Sequence, residues 1–456
     1  MADTIAAIAT GMQKSALGII RLSGEEAVSI AEAAFRPAFG GRLRDYPPRK
    51  LVLGDLLDED GQVLDQVLMF YSPGPGSFTG EDTAELQGHG SPAALNAILR
   101  RLFDLGARQA GPGEFSRRAF LNGRLDLTQA EAIIDLIDSE TPLAAKNAAA
   151  QLHGAVTGKT DEIYEALLGL EAQFQAAVDY PDEGVDPLEN ARLAQSLRDA
   201  EGQLSALLGS FSRSQVLKEG VPCALLGKPN AGKSSLLNAL LGRERAIVTD
   251  QAGTTRDTLE EKLTLGGLLL RLTDTAGLRR TEDAVEAQGV QRALDAGREA
   301  SLVLAVFDGS EPLTEEDSRV LEAAGEARQA IALINKSDLP RQLCREQLEE
   351  RFDTVLEVSA RTGAGIPALE EAVQRLLTGE SPLRAGEVLT NARQYDAIRR
   401  AREAICRAAE ALEIGLTPDA VLTDAEEAMN ALGELSGRTL REDLVDAIFS
   451  RFCVGK

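Results

Sequence analysis

The spacing of apolar residues changes character along the chain. From Asp3 to about Asn122, short runs such as LGIIRLSG, KLVLGDLL and QVLMFYS alternate with Pro/Gly punctuation in SPGPGSFTG and AGPGEFS, which predicts an α+β region. From Asp126 to about Leu217, apolar residues recur every three or four positions, as in LTQAEAIIDLI and EIYEALLGLEAQFQAAVD, the period of helices. From Gly220 to about Leu377, apolar strands alternate with helices, the rhythm of a parallel sheet covered on both faces. Helical spacing resumes after Leu389 in NARQYDAIRRAREAICRAAEALE and DAVLTDAEEAMNALGELSG. The two helical stretches match in texture, so one helical domain interrupted by an α/β insertion is the economical arrangement. The expected boundaries are 1–122, 123–219, 220–378 and 379–456.

Composition narrows this picture. A chain of 456 residues exceeds one ordinary core and predicts two to four domains. Its 72 acidic against 48 basic residues, a net charge of −24, argue against an extensive phosphate-binding surface. A local patch such as Arg393, Arg399, Arg400 and Arg402 is compatible with that balance, although such a run is commonly a solvated helix face. Cys223, Cys344, Cys406 and Cys453 have no paired spacing and suit free thiols in a reducing cytoplasm. The start MADTIAAIATGMQKS lacks signal-peptide organisation, and no apolar run reaches the roughly 18–20 residues of a membrane span. His89 and His153 offer little material for imidazole catalysis or a metal cluster.

The sharpest chemistry lies in the α/β stretch. VPCALLGKPNAGKSSLLNALLG reads as strand, Gly-rich loop and helix, and Gly227–Ser234 fits G-x-x-x-x-G-K-[ST]. Such a loop closes backbone N–H groups around phosphates at a helix N-terminus, with Lys233 reaching the β- and γ-phosphates and Ser234 ligating magnesium. Asp274-Thr275-Ala276-Gly277 follows the strand LLLRLT and suits a water-mediated magnesium contact and a γ-phosphate sensor. Asn335-Lys336-Ser337-Asp338 follows AIALI; the Asp338 carboxylate accepts from guanine N1–H and the 2-amino group, which adenine cannot offer. Asn335 would brace the loop, the Lys336 stem would cover the base, and Ser359-Ala360-Arg361 would complete the pocket. Four motifs in this order predict a GTP-binding domain. Leu278 stands where many GTPases place a water-orienting glutamine, which leaves Glu282, Asp283 and Glu286 as alternative candidates.

Asn230-Ala231-Gly232-Lys233-Ser234-Ser235 with Gly253-Thr254-Thr255-Arg256-Asp257 resembles the TrmE–Era group of translation GTPases. SFTGEDTAELQGHG, PGEFSRRAFLNGRLDLTQAEAIIDLI and the ending FCVGK resemble, more narrowly, the MnmE (TrmE) family of tRNA-modification GTPases, and the likeness spans essentially the whole chain. The resemblance implies a tetrahydrofolate-binding-like N-terminal domain, a discontinuous helical domain and an inserted Ras-like G domain. It implies modification of the wobble uridine of certain tRNAs, a homodimer, an FAD-dependent partner (MnmG, or GidA) in a heterotetramer, and a folate such as 5-formyltetrahydrofolate as one-carbon donor. It further implies potassium-dependent hydrolysis, with potassium held by Asn230, Thr249, Gln251 and Thr254, magnesium by Ser234 and Thr255, and the hydrolytic water by Glu286. For folate it points to Arg21, Glu85, Arg124 and Lys456, with Arg124 standing where the family usually has lysine. Cys453 would then lie near the one-carbon end, although a cysteine beside Phe452 is equally a small buried hydrophobe.

Two other readings compete. A ribosome-assembly GTPase of the Era or Der type would need a basic RNA-binding segment or a second G domain, and this chain has an acidic helical stretch and one phosphate loop. A noncatalytic GTP-gated scaffold would use the N-terminal domain for dimerisation alone.

Overall fold

The computed structural model describes residues 3–179, 187–243, 261–272, 300–379, 389–439 and 442–456. They form two compact units: Met1–Ile134 with Leu152–Asp186 and Ile414–Lys456, and Asp135–Gln151 with Pro187–Glu413. The architecture is the expected mixture of α+β, helical and α/β parts. Among the described residues no helix is long and apolar enough to cross a membrane.

In the first unit, β1 (Ile5–Ile8), β2 (Ser15–Ser23), β3 (Phe35–Pro37), β4 (Val52–Leu57), β5 (Val63–Ser72), β6 (Thr83–Gly90) and β7 (Arg108–Gln109) make one sheet of order β3-β4-β5-β6-β2-β1-β7. All pairings are antiparallel except β1 with β7. Alternation along β2 and β6 turns Ile20, Leu22, Ala84 and Leu86 into the core, where Leu95, Ile98 and Leu102 of the helix Pro92–Asp104 cover them. Each large side chain so buried contributes on the order of 1.5–3 kcal/mol.

A second core of this unit comes from Leu127, Ala130 and Ile133 with Val445, Ile448, Phe449 and Phe452. Phe449 lies 6.1 Å from Phe120 and 5.4 Å from Phe452, centroid to centroid, tilted in both cases. Those aromatic contacts fix the direction in which residues 453–456 leave. The segment then runs onto Pro112–Phe115: Pro112 and Val454 form an antiparallel bridge, Gly113 N–H donates to Cys453 O at 3.3 Å, and Phe115 N–H donates to Lys456 O at 3.2 Å. Gly455 has φ of 100°, and a Cβ there would stand 2.4 Å from Ile8 O, so this position admits only glycine.

The helix Glu114–Leu121 carries the docking strip and is fastened by a charge network. Arg108 binds Asp3 and both oxygens of Glu114; Arg118 donates to Asp3 Oδ1 (2.9 Å), Glu81 Oε2 (3.0 Å) and Glu114 Oε1 (3.0 Å). Burial alone would raise Glu114, but hydrogen bonds from Arg108, the Gly111 N–H and Arg118 prevail and hold its carboxyl at about 2.

In the second unit, β8 (Val221–Leu226), β9 (Glu261–Leu265), β10 (Leu268–Leu272), β11 (Leu302–Asp308), β12 (Ala330–Asn335) and β13 (Val355–Glu357) make a sheet of order β13-β12-β11-β8-β10-β9, parallel but for β9 with β10. β11 is buried along its whole length, LVLAVFD. Leu302, Leu304 and Val306 enter one core, and Val303, Ala305 and Phe307 the other, as expected for a strand covered on both faces. In the same unit the helix Ala392–Glu413 pairs Arg399 with Asp396 and Glu403, and Arg400 with Asp396. That part of the basic strip is therefore largely neutralised within its own helix.

None of the four cysteines forms a disulfide, and burial pushes the Cys223 thiol up to about 12.

Because the folded value of Glu114 is depressed from the ordinary 4.5 to about 2, its contribution to stability is present above 4.5 and is lost as pH falls toward 2. Thermal unfolding followed across that window should show the first unit losing stability steeply in the wild type, and less steeply in Glu114→Gln. Identical pH slopes would mean that the network contributes nothing.

Candidate functional site

The parallel strands β8, β11, β12 and β13 end on one edge of the second sheet. The chain leaves β8 between neighbours reached from opposite directions, β10 on one side and β11 on the other, which is where open α/β sheets form a crevice. Into it the sequence delivers the loop Gly227–Gly232, followed at once by the helix Lys233–Arg243.

The loop has the strained backbone its glycines and Asn230 allow. Asn230 has φ of 61° and Gly232 of 94°. A Cβ at Gly232 would lie 2.2 Å from the Asn335 Nδ2, so glycine is demanded here by a neighbour as well as by conformation. Lys233 turns its ammonium back over the loop, donating to Gly227 O at 2.6 Å and Lys228 O at 2.7 Å. Burial pulls its pKa below the ordinary lysine value. Ser234 and Ser235 are exposed in the first turn of the helix.

Asn335, 1% exposed at the end of β12, holds three segments together. Its Nδ2 donates to Ala231 O at 2.9 Å, and its Oδ1 accepts from Ala360 N–H at 3.1 Å. One amide thus ties the phosphate-loop candidate to the Ser359–Arg361 candidate. Asp338 accepts from Ser359 Oγ at 2.7 Å and faces Arg361 at 3.7 Å; the Ser359 hydrogen bond first, and Arg361 and Lys336 further on, hold its carboxyl below the usual range. Lys336, at φ of 61°, reaches Asp308 Oδ2 at 2.5 Å. Burial would raise Asp308, but Lys336 and Ser310 outweigh it and lower it.

Asp308 was not among the sequence candidates. Its signal was legible, an acid closing the wholly apolar strand LVLAVF, the same cue that drew attention to Asp274. Thr249, Gln251, Thr254, Thr255, Asp274, Thr275, Ala276, Gly277 and the three acids Glu282, Asp283 and Glu286 lie outside the described residues.

The second constellation sits in the first unit. Arg21 of β2 is opposite Glu85 of β6 in register, and its Nε donates to Glu85 Oε2 at 3.1 Å. The guanidinium also stands 5.5 Å from the Phe78 ring centroid and 5.9 Å from that of Phe115. Phe115 is the residue whose N–H binds Lys456 O, so the 453–456 segment is brought to the same neighbourhood. Arg124 is exposed, and a side chain at Gly80 would meet its Cγ at 3.3 Å, on the loop that bears Phe78. Cys453 is exposed. The docking strip Pro112–Phe115 was read from sequence as punctuation and as the start of the family-like stretch PGEFSRRAFLNG; neither reading signals that residues 453–456 dock on it.

Comparison with known proteins gives a consistent picture. Residues 4–124 match the family model described as the GTP-binding protein TrmE N-terminus, and residues 127–453 match the MnmE helical domain. The tRNA modification GTPase MnmE of Roseiflexus sp. is 43% identical over 464 residues, covering 100% of this chain and 99% of the relative. That of Geobacillus kaustophilus is 41% identical over 460 residues, with 100% and 99% covered. A solved structure, the G domain of the T. maritima FeoB iron transporter, is 28% identical, covering 34% of this chain and 96% of that one at a TM-score of 0.26.

Replacing Asn335 with alanine strands a buried carbonyl and a part-buried N–H together. Native-state hydrogen exchange on Asn335→Ala should show the β12 and phosphate-loop amides opening at a free energy lower by about 1–3 kcal/mol. Protection unchanged from the wild type would refute the bridge.

Proposed function

The chain belongs to the MnmE family of tRNA-modification GTPases, and on that premise we propose a guanine-nucleotide site and a folate site with assigned residues. The observation that carries the reading is the Asn335 amide, which gathers Ala231 and Ala360 around one crevice. In it the N–H groups of Asn230–Ser235 face the phosphates, Lys233 neutralises them, and Asp338 with Ala360 and Arg361 selects guanine. Ser234 and Thr255 supply hydroxyl oxygens suited to a hard cation, and Asn230, Thr249, Gln251 and Thr254 supply the oxygens for potassium. For Asp274, Thr275, Ala276 and Gly277 the assigned role is the water-mediated magnesium contact and the γ-phosphate contact, carried by the Asp274 carboxylate and the Gly277 N–H. When bound, these cations offset charge that develops between the phosphates. Glu286 orients the attacking water through its carboxylate, the role that Leu278 cannot fill.

The folate reading draws its support from Arg21, which has Glu85 at hydrogen-bonding distance and the Phe78 and Phe115 ring centroids 5.5 and 5.9 Å from its guanidinium. A cation, a carboxylate and aromatic faces are the chemistry that a charged planar heterocycle needs. Arg124 and Lys456 would bind its carboxylates, and Cys453 would border the one-carbon end. On this reading the protein works in the cytoplasm as a homodimer, in a heterotetramer with an FAD-dependent partner, and modifies C5 of the wobble uridine of certain tRNAs to the carboxymethylaminomethyl form. The domains run over residues 1–122, 123–219, 220–378 and 379–456.

Gly455→Ala should displace the 453–456 segment from Ile8 and Phe115, weakening 5-formyltetrahydrofolate binding in calorimetry about tenfold or more while leaving GDP affinity unaltered. Wild-type protein that failed to bind the folate at all would overturn the folate site. For the nucleotide site, potassium-stimulated GTP turnover of Glu286→Ala should fall about a hundredfold with GDP binding retained. Full turnover in that variant would remove Glu286 from the mechanism. Wobble uridine left unmodified in cells lacking the protein, and restored by its return, is the expectation for the whole reading; fully modified tRNA in those cells would refute it.

A further inference from the structure

Within the phosphate loop, the residue after the first glycine is free in principle to point into solvent, since the motif sets no requirement there. Lys228 instead has a side chain only 8% exposed. Its ammonium reaches out of the loop, to Asp317 Oδ2 at 3.1 Å and Glu311 Oε2 at 3.3 Å. Asp317 is 1% exposed and sits in the first turn of the helix Glu315–Gly325. Among the described residues its hydrogen bonds all fall on Oδ2, from Thr314 N–H (2.8 Å), Thr314 Oγ (2.7 Å) and Lys228, and the buried Oδ1 has no partner. Among the described residues Lys228 is the one cation paired with this carboxylate.

The backbone of Lys228 faces the other way. Its carbonyl accepts from Lys233 Nζ at 2.7 Å and from Ala231 N–H at 3.3 Å. A shift of the Lys228 side chain therefore moves a carbonyl that holds the Lys233 ammonium. We propose that Lys228 is a positioning residue of the phosphate loop, pinned from outside by buried Asp317 and acting through its own carbonyl on Lys233. The proposal rests on the reading of Gly227–Ser234 as the phosphate loop. It has two physical parts. The pair anchors the loop geometrically, and Lys228 offsets a buried negative charge on the outer side of the loop.

The charge part makes the two partners unequal, and this asymmetry separates positioning from mere packing. Removing Lys228 leaves a buried carboxylate uncompensated behind the loop; neutralising Asp317 leaves a lysine that Glu311 still faces. Binding of fluorescent GDP to the purified full chain, well below its melting temperature, should show Kd for Lys228→Met raised about tenfold or more, and for Asp317→Asn raised less. The double variant should recover part of the Lys228→Met loss, a non-additivity specific to the charge, and Lys228→Arg should bind more tightly than Lys228→Met. A Kd for Lys228→Met within about twofold of wild type would overturn the proposal, as would equal and additive losses in the two single variants. Should Lys228→Met lose its native circular dichroism, the Lys228→Arg and Asp317→Asn comparison decides alone: Asp317→Asn binding as weakly as a loop lacking Lys233 would overturn it. Lys233→Ala is the control for the underlying reading. Loss of binding there with Lys228→Met unaffected refutes only the positioning role, whereas wild-type binding by Lys233→Ala refutes the site itself.

Discussion

Everything that makes the second unit a site depends on one buried side-chain amide. Asn335 offers a donor and an acceptor on opposite sides, and it spends both on backbone groups of segments more than a hundred and about twenty-five residues away. Neither Ala231 O nor Ala360 N–H belongs to a strand or a helix ladder, so each would be costly to bury without that partner. The glycine at 232 is the complement of this arrangement: only a residue without Cβ lets the amide come so near. The parallel sheet makes the bridge feasible, because β8, β12 and β13 release their loops on a common edge.

The first unit solves a similar problem by different means. Its sheet is self-sufficient, but residues 453–456 need an external anchor, and the tilted Phe120–Phe449–Phe452 contacts provide it. From there the backbone has a short distance to run to Pro112–Phe115, whose helix is fixed by Arg108, Arg118 and their carboxylates. Packing supplies the affinity of the segment for its strip, and the charge network supplies the fixed position of the strip. Arg21, Glu85 and the two phenylalanine rings border the place where the segment arrives.

Electrostatics are handled locally throughout a strongly acidic chain. Lys228, Lys336, Arg108 and Arg118 are each matched with carboxylates at hydrogen-bonding distance, and Arg399 and Arg400 are matched within their own helix. A surplus of acid does not prevent an anion site built from a lysine and backbone N–H groups at a helix start, the set proposed around Lys233. The whole-chain charge therefore said little about nucleotide binding, and its bearing on tRNA lies in patches rather than in the sum.

Sequence alone determined the elements with a strong period and the motifs with fixed local geometry. The wholly apolar β11, the alternation of β2 and β6, and the long helical stretches follow from burial patterns that are written residue by residue. The phosphate-loop motif and the Asn335–Asp338 motif were legible as sequence patterns because phosphate and base recognition constrain neighbours in sequence; Arg21 and Glu85 were each named through family resemblance, and their pairing came from the sheet register. What only the tertiary structure decided is which distant segments share a hydrogen bond or an ion pair. Sequence placed Lys228 only within the phosphate-loop motif, did not single out Asp308, and marked AGPGEFS as punctuation and family likeness; Asp317 beside Lys228, Lys336 on Asp308 and Val454 bridging Pro112 are contacts of the fold. Such contacts leave no periodic trace. Each joins residues whose separation along the chain is set by everything folded between them, and a single polar contact constrains only the two atoms that make it.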